Sequence, residues 1–287
     1  MDYCEQFCFP GTRCDEQMYQ TEESVSIRVI HFRPEEKSPY PPVVMVVGLA
    51  TVIESFQGII GELTRDFEVY YVETREKSSS QLLGKVKFDI KTVAFDIISV
   101  IQLLELKNDQ YILFGYSFSA CVIIEAYHHL ESKPKCLLLL SPTPSFNYPQ
   151  WSLPLIRVAV PFYGVLKPLA KWYLRNFVIN YKSDKDMYLF TSHALDRADP
   201  VKLKNTILAI AGYTLWDKLA SIDCSTLIVD TSMDGIHIHD DIMRMTHSIK
   251  GSTYIDMENN KRTHGAELPV VIRNFINGLT KKNEFIV

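Results

Sequence analysis

The sequence predicts an α/β fold: a mostly parallel sheet flanked by helices, with a helical cap inserted past its middle. Three observations predict it. Short runs apolar on both faces, such as "VVMVV" at 43–47 and "KCLLLLS" at 135–141, read as strands buried inside a parallel sheet. Helical periodicity appears between such runs, most clearly with Ile90, Ala94, Ile97, Ile98, Ile101 and Leu104 on one face. The aromatic-rich stretch 144–218 then breaks the alternation with no buried-strand signal.

In order along the chain, "SVSIRVIHF" (24–32) alternates apolar and polar residues like a strand with one covered face, and "PEEKSPYPP" (34–42) ends it. The run 43–47 and "EVYYVE" (68–73) follow as strands, and the first long helix ends near "KND". Next come "QYILFG" (110–115) as a strand, a helix over 118–131, and the strand 135–141. After the insertion, "STLIVD" (225–230) is a strand, 238–248 a helix, "STYID" (252–256) a strand, and about 266–279 a last helix. Strands alternating with helices require a sheet covered on both sides. Residues 1–143 and 219–287 are assigned to this core. Residues 144–218, punctuated by Pro154, Pro161, Gly164 and Pro168, are assigned to the cap.

A chain of 287 residues suits one large α/β domain with an insertion. At 47% hydrophobic and 22% charged it is not a disordered chain, and a net charge of -4 gives no reason to expect nucleic acid. The N-terminus lacks a basic start followed by an apolar run, and no stretch of about 18 uncharged apolar residues predicts a membrane span. Cys121, Cys136 and Cys224 lie in apolar elements and read as buried thiols. Cys4, Cys8 and Cys14 match no zinc spacing and read as loose N-terminal residues. The expectation is a reduced, cytoplasmic protein with no metal and no organic cofactor.

The chemistry concentrates at "ILFGYSFSA" (112–120). A strand runs into Gly115-Tyr116-Ser117-Phe118-Ser119-Ala120, and a helix starts at once. That is the context of the G-x-S-x-G elbow, where small neighbours let strand and helix approach and a strained serine stands exposed. An isolated hydroxyl is a weak nucleophile; an imidazole must take its proton, and a carboxylate must orient that imidazole. Downstream, in the required order, Asp234 follows the strand 225–230 and His264 follows the strand 252–256. Asp230 and Asp240 are rival acids. His237 and His239 follow the acid too closely to face Ser117 from its far side, which leaves His264.

These residues resemble those of the α/β-hydrolase superfamily in its capped branch, over about residues 20–280. "VVMVVGLATVIESF" resembles the strand and turn that usually read His-Gly, with Val47 in place of the histidine. "YYVETREKSSS" resembles the D-x-R-G-x-G-x-S segment without its glycines, and "THGAELP" resembles the catalytic-histidine loop. The resemblance implies Ser117 as nucleophile, Asp234 as acid, His264 as base, and the backbone N–H groups of Leu49 and Phe118 as the oxyanion hole.

Between Trp151 and Lys182 the cap carries Arg157, Lys167, Lys171, Arg175 and Lys182 and no Asp or Glu. Its Trp151, Phe162, Tyr163 and Trp172 offer a surface for an acyl chain. The basic residues suit an anionic contact, such as a membrane surface or an acyl carrier, or else only cover the cap with their stems. The expected activity is hydrolysis of a hydrophobic carboxylic ester or thioester through an acyl-enzyme. An acyltransferase with the same three residues is the neighbouring alternative, and a catalytically silent ligand receptor the distant one.

Overall fold

A computed structural model describes residues 3–179, 181, 184–233 and 237–284 of the protein. Among the described residues nine strands form one sheet: β1 (Arg13–Glu22), β2 (Val25–Arg33), β3 (Val43–Val46), β4 (Val69–Val72), β5 (Gln81–Leu82), β6 (Ile112–Tyr116), β7 (Cys136–Leu140), β8 (Ser225–Asp230) and β9 (Thr253–Asp256). Their order is β1-β2-β4-β3-β6-β7-β8-β9, with β5 pairing β2. From β4 to β9 every pairing is parallel, whereas β1, β2, β4 and β5 pair antiparallel at one edge.

The two-residue period of a strand sorts its side chains between two cores. Val43 and Met45 of β3 join Ile112, Phe114, Leu138 and Leu140 on one face, under α1 (Gln57–Leu63). Val44 and Val46 join Leu113, Leu137 and Leu139 on the other, under α2 (Ile90–Leu103) and α3 (Phe118–His129). Asp89 starts α2 as its N-cap, its carboxylate accepting from the Thr92 N–H at 3.1 Å.

Between β7 and β8 the described chain holds four α-helices: α4 (Ser152–Val158), α5 (Tyr163–Tyr173), α6 (Lys185–Arg197) and α7 (Pro200–Ile210). A π-turn at Leu174–Val178 extends α5. The two ends of this excursion are joined at its neck: Leu215 N–H donates to Pro144 O (2.9 Å) and Phe146 N–H to Tyr213 O (3.0 Å). Among the described residues three helices follow β8: α8 (His239–Ser248), the single turn α9 (Asn260–Thr263) and α10 (Glu267–Glu284). Helix α8 packs over the α2 and α3 face, and α10 packs beside α1.

Two features correct the sequence reading. The N-terminal cysteines are not loose: Cys4 and Cys14 form a disulfide that ties the short helix Tyr3–Phe7 to β1. Strand β1 was not anticipated either. Its "RCDEQMYQTE" is polar on both faces because it is an exposed edge strand, where charge blocks further pairing.

Behind the edge, the fully buried Arg75 side chain binds Asp96 through Nε (2.7 Å) and Nη2 (2.8 Å), and Glu22 through Nη2 (2.7 Å). Its Nη1 donates to Lys87 O at 2.8 Å. The arginine thereby fastens the segment after β4 to α2. No single helix among the described residues is long and apolar enough to cross a membrane.

Candidate active site

Strand β6 delivers Ser117 at φ +53° and ψ -115°, a conformation that costs on the order of 1–3 kcal/mol in a residue with a Cβ. The neighbours explain how it persists. A Cβ on Gly115 would sit 2.9 Å from the backbone N and Cα of Ala120, so only glycine lets α3 start this close to β6. Ser119 stands where the motif usually has its second glycine, and its buried hydroxyl ties the corner together. It accepts from the Tyr116 N–H (2.9 Å) and donates to Val46 O on β3 (2.6 Å).

His237 Nε2 lies 2.9 Å from Ser117 Oγ. The expectation that His237 follows the acid too closely to face Ser117 is therefore corrected, because its ring stands within hydrogen-bond distance of the hydroxyl. His264 follows α9 and opens onto the same cavity, packed edge-on against Tyr116 at 5.2 Å between ring centres. Its Nδ1 is 3.2 Å from Thr263 Oγ1. The loop is close-packed: a Cβ on Gly58 would meet His264 O at 2.5 Å, and one on Gly265 would meet Lys261 O at 2.6 Å. Asp234 lies outside the described residues.

Two of the rival residues occupy each other. Asp230 is buried at the end of β8, with Oδ2 2.5 Å from His239 Nδ1 and accepting from Tyr254 OH at 3.0 Å, while Oδ1 accepts from the Thr231 N–H. Cys121, one turn into α3, is no alternative nucleophile. Burial pushes its thiol well above the usual range, and it donates to Thr143 O.

The turn after β3 supplies Leu49. A Cβ on Gly48 would lie 3.0 Å from Tyr116 O, so glycine keeps this turn against the elbow, and Ala50 adopts φ +47°. Phe118 opens α3, where the first amides have no carbonyl partner within the helix. A buried amine holds the Leu49 turn: Lys77 Nζ donates to Gly48 O (2.5 Å), Thr51 O (3.2 Å) and Thr51 Oγ1 (3.2 Å), with Glu76 Oε1 at 3.3 Å. Sequence reasoning missed Lys77, because "TREKSSS" gives no sign that its lysine turns inward. The missing glycines of that segment were the available signal.

A cavity of about 260 Å³ joins these parts. Ser117, His237, His264, Leu49 and Tyr116 line one wall; Leu174, Val178, Met187, Phe190 and Leu195 line the other. The aromatic residues expected to bind an acyl chain are elsewhere. Trp151, Phe162 and Trp172 are all more than half exposed, and Tyr163 spends its hydroxyl on Leu195 O at 2.6 Å. None of the four lines this cavity, because the apolar side of α4 and α5 faces outward and the lining comes from the π-turn and α6.

This architecture, with a strained serine at the elbow after the strand beside β3, is the α/β-hydrolase fold. No family model matches the sequence, and no curated protein resembles it in sequence. Solved structures resemble it in fold. An esterase from Exiguobacterium antarcticum aligns with a TM-score of 0.74 at 18% identity over 91% of this chain and 99% of its own. A thermophilic esterase from Thermogutta terrifontis gives 0.72 at 17% over 92% and 99%, and an enol-lactonase from Burkholderia xenovorans 0.70 at 14% over 94% and 98%.

Proposed function

We propose that the protein is a serine hydrolase acting on a hydrophobic carboxylic ester or thioester, with Ser117 as nucleophile. The observation that carries this reading is Ser117 Oγ at 2.9 Å from an imidazole nitrogen, on a backbone held at φ +53°. A neutral His237 accepts the hydroxyl proton as Oγ attacks the carbonyl carbon. The carbonyl oxygen takes up the negative charge facing the Leu49 and Phe118 amides. Collapse of the tetrahedral intermediate expels the alcohol or thiol, which leaves with the proton from the imidazole. Water then attacks the acyl-enzyme by the same route in reverse, releasing the acid and restoring Ser117. Asp234 keeps the orienting role that the resemblance implies, and residues 144–218 serve as the cap that walls the cavity.

A second reading assigns the base to His264, which the loop resemblance favours and which shares the cavity with Ser117. His237 then orients the resting hydroxyl. Separate substitutions distinguish the two. The residue acting as base loses about 10²–10⁴-fold in kcat when changed to Ala, and the other much less. The test of the function itself is hydrolysis of chromogenic esters graded by chain length. The lining of Leu174, Val178, Met187 and Phe190 supports a preference for acyl chains longer than acetyl. A preference for acetyl esters overturns the apolar-substrate reading, and undiminished turnover in Ser117→Ala overturns the mechanism. Product analysis with and without an added alcohol separates hydrolysis from acyl transfer.

A further inference from the structure

Helices α4 and α5 are amphipathic the wrong way round for a surface helix. Along the stretch Phe162–Phe177, Phe162, Val165, Leu169 and Trp172 recur at three- and four-residue steps on one side, and Lys167, Lys171 and Arg175 recur every fourth residue on the opposite side. The apolar side is the one in solvent. Val165 is 78% exposed, whereas the Lys171 side chain is 21% exposed. Lys167 and Lys171 turn inward to Asp196 on α6, at 3.1 and 2.7 Å, and Arg175 lies over the Tyr181 ring at 4.2 Å. From residue 151 to 178 no side chain is buried. Ten of the nineteen large hydrophobics that are exposed among the described residues fall in this stretch. A continuous apolar face of this kind marks an interaction site.

We propose that the outer face of α4 and α5 docks on an anionic lipid surface, lying in the plane of the bilayer. Charge argues for this occupant. The segment 151–182 carries five cations and no acidic residue, in a chain of net charge -4. Of those among the described residues, Arg157 and Arg175 are exposed and Lys167 and Lys171 lie behind the apolar stripe, at headgroup height once the stripe enters the acyl boundary by about 5–10 Å. The limbs Ser152–Val158 and Val160–Val178 reach a spanning length and composition only together, and they are bent by 68°. That bend suits a helix pair lying on a bilayer.

Docking deepens the functional reading, because Leu174 and Val178, at the end of this same helix, line the cavity beside Ser117. A lipid-like ester leaving the bilayer would enter beside them.

Co-flotation of the full chain with equimolar phosphatidylcholine–phosphatidylglycerol vesicles tests the docking. It is read on Ser117→Ala protein, so that failure of the catalytic reading leaves this result intact. The expected results are binding to these vesicles, much weaker binding to pure phosphatidylcholine, and loss of binding in Val165→Glu/Leu169→Glu. In otherwise unchanged protein, that double variant hydrolyses a water-soluble ester as well as the parent does. Arg157→Ala weakens vesicle binding about fivefold. The proposal is overturned by no binding, by equal binding to neutral vesicles, or by binding that survives the double glutamate variant. Resistance to alkaline carbonate extraction overturns the in-plane arrangement, and a stable dimer that the double variant converts to monomer overturns the lipid occupant.

Discussion

Replacing Lys77 by Met removes one buried ammonium and keeps the length of its stem. In the wild type, Nζ sits 2.5 Å from Gly48 O and 3.2 Å from both Thr51 O and Thr51 Oγ1, which fixes the turn carrying the Leu49 amide. Without it, Gly48 O retains only the Thr51 hydroxyl at 2.8 Å among the side-chain bonds described. A hydrogen bond from a charged group contributes about 1.5–3 kcal/mol, so the turn loses enough restraint to drift. A drift of about 1 Å costs about 10²-fold in rate, and complete loss of one oxyanion donor costs about 10²–10³-fold. At about 1.36 kcal/mol per decade, a 10²-fold loss is about 2.7 kcal/mol of transition-state stabilisation. The expected result is therefore kcat lower by about 10²-fold, with KM for a hydrophobic ester changed little, because Phe190 and Met187 on the far wall are untouched. Stability falls as well, since Glu76 Oε1 loses its counter-ion at 3.3 Å; breaking a buried pair costs about 3–5 kcal/mol. The assay is steady-state hydrolysis at low temperature with folding checked by near-ultraviolet circular dichroism. Glu76→Gln/Lys77→Met serves as the control: it recovers stability and leaves kcat low. Folded Lys77→Met protein with kcat within about threefold of wild type would refute the reasoning.

Other perturbations follow from the same structure. His31 donates to Glu68 Oε1 at 2.6 Å, and this bond holds the Glu68 carboxyl below its ordinary range. Because the folded-state pKa is the lower one, the contribution is present above the ordinary carboxylate range and is lost as pH falls through the depressed value; in acid denaturation, Glu68→Gln flattens that limb of the stability curve. Reducing the Cys4–Cys14 bond, whose cysteines are 10 residues apart, lowers the unfolding free energy by about 2–3 kcal/mol in a urea titration with and without reductant. Arg75→Met leaves Asp96 buried without its counter-ion and costs about 3–5 kcal/mol, and thermal unfolding reports it. Ser119→Ala removes the hydroxyl that accepts from the Tyr116 N–H and costs about 1–3 kcal/mol, whereas Gly115→Ala drives its Cβ into Ala120 and disrupts the elbow; circular dichroism and ester turnover separate the two.

The sheet was legible wherever burial imposed a pattern. The runs at 43–47, 135–141 and 225–230 contain β3, β7 and β8 because a strand covered on both faces is built mostly of apolar residues. Polar β1 left no such pattern, and β5 is two residues long. Ser117 was legible because its corner needs Gly115 and an immediate helix start. The approach of His237 was not, because a histidine in an irregular segment carries no periodicity and its direction depends on where the chain turns after β8. The outward aromatic face of α5 misled in a related way. Periodicity identifies a helix and its apolar stripe but does not say which side meets the protein, and Trp172 went to solvent while Leu174 and Val178 reached the cavity.

The account rests on an activated hydroxyl at residue 117. Incubation with a fluorophosphonate, followed by peptide mass spectrometry, measures that activation directly. The expected result is stoichiometric modification of Ser117 that disappears in Ser117→Ala and slows sharply when the histidine acting as base is changed to Ala. Folded wild-type protein that takes up no label, or takes it up at another residue, contradicts it.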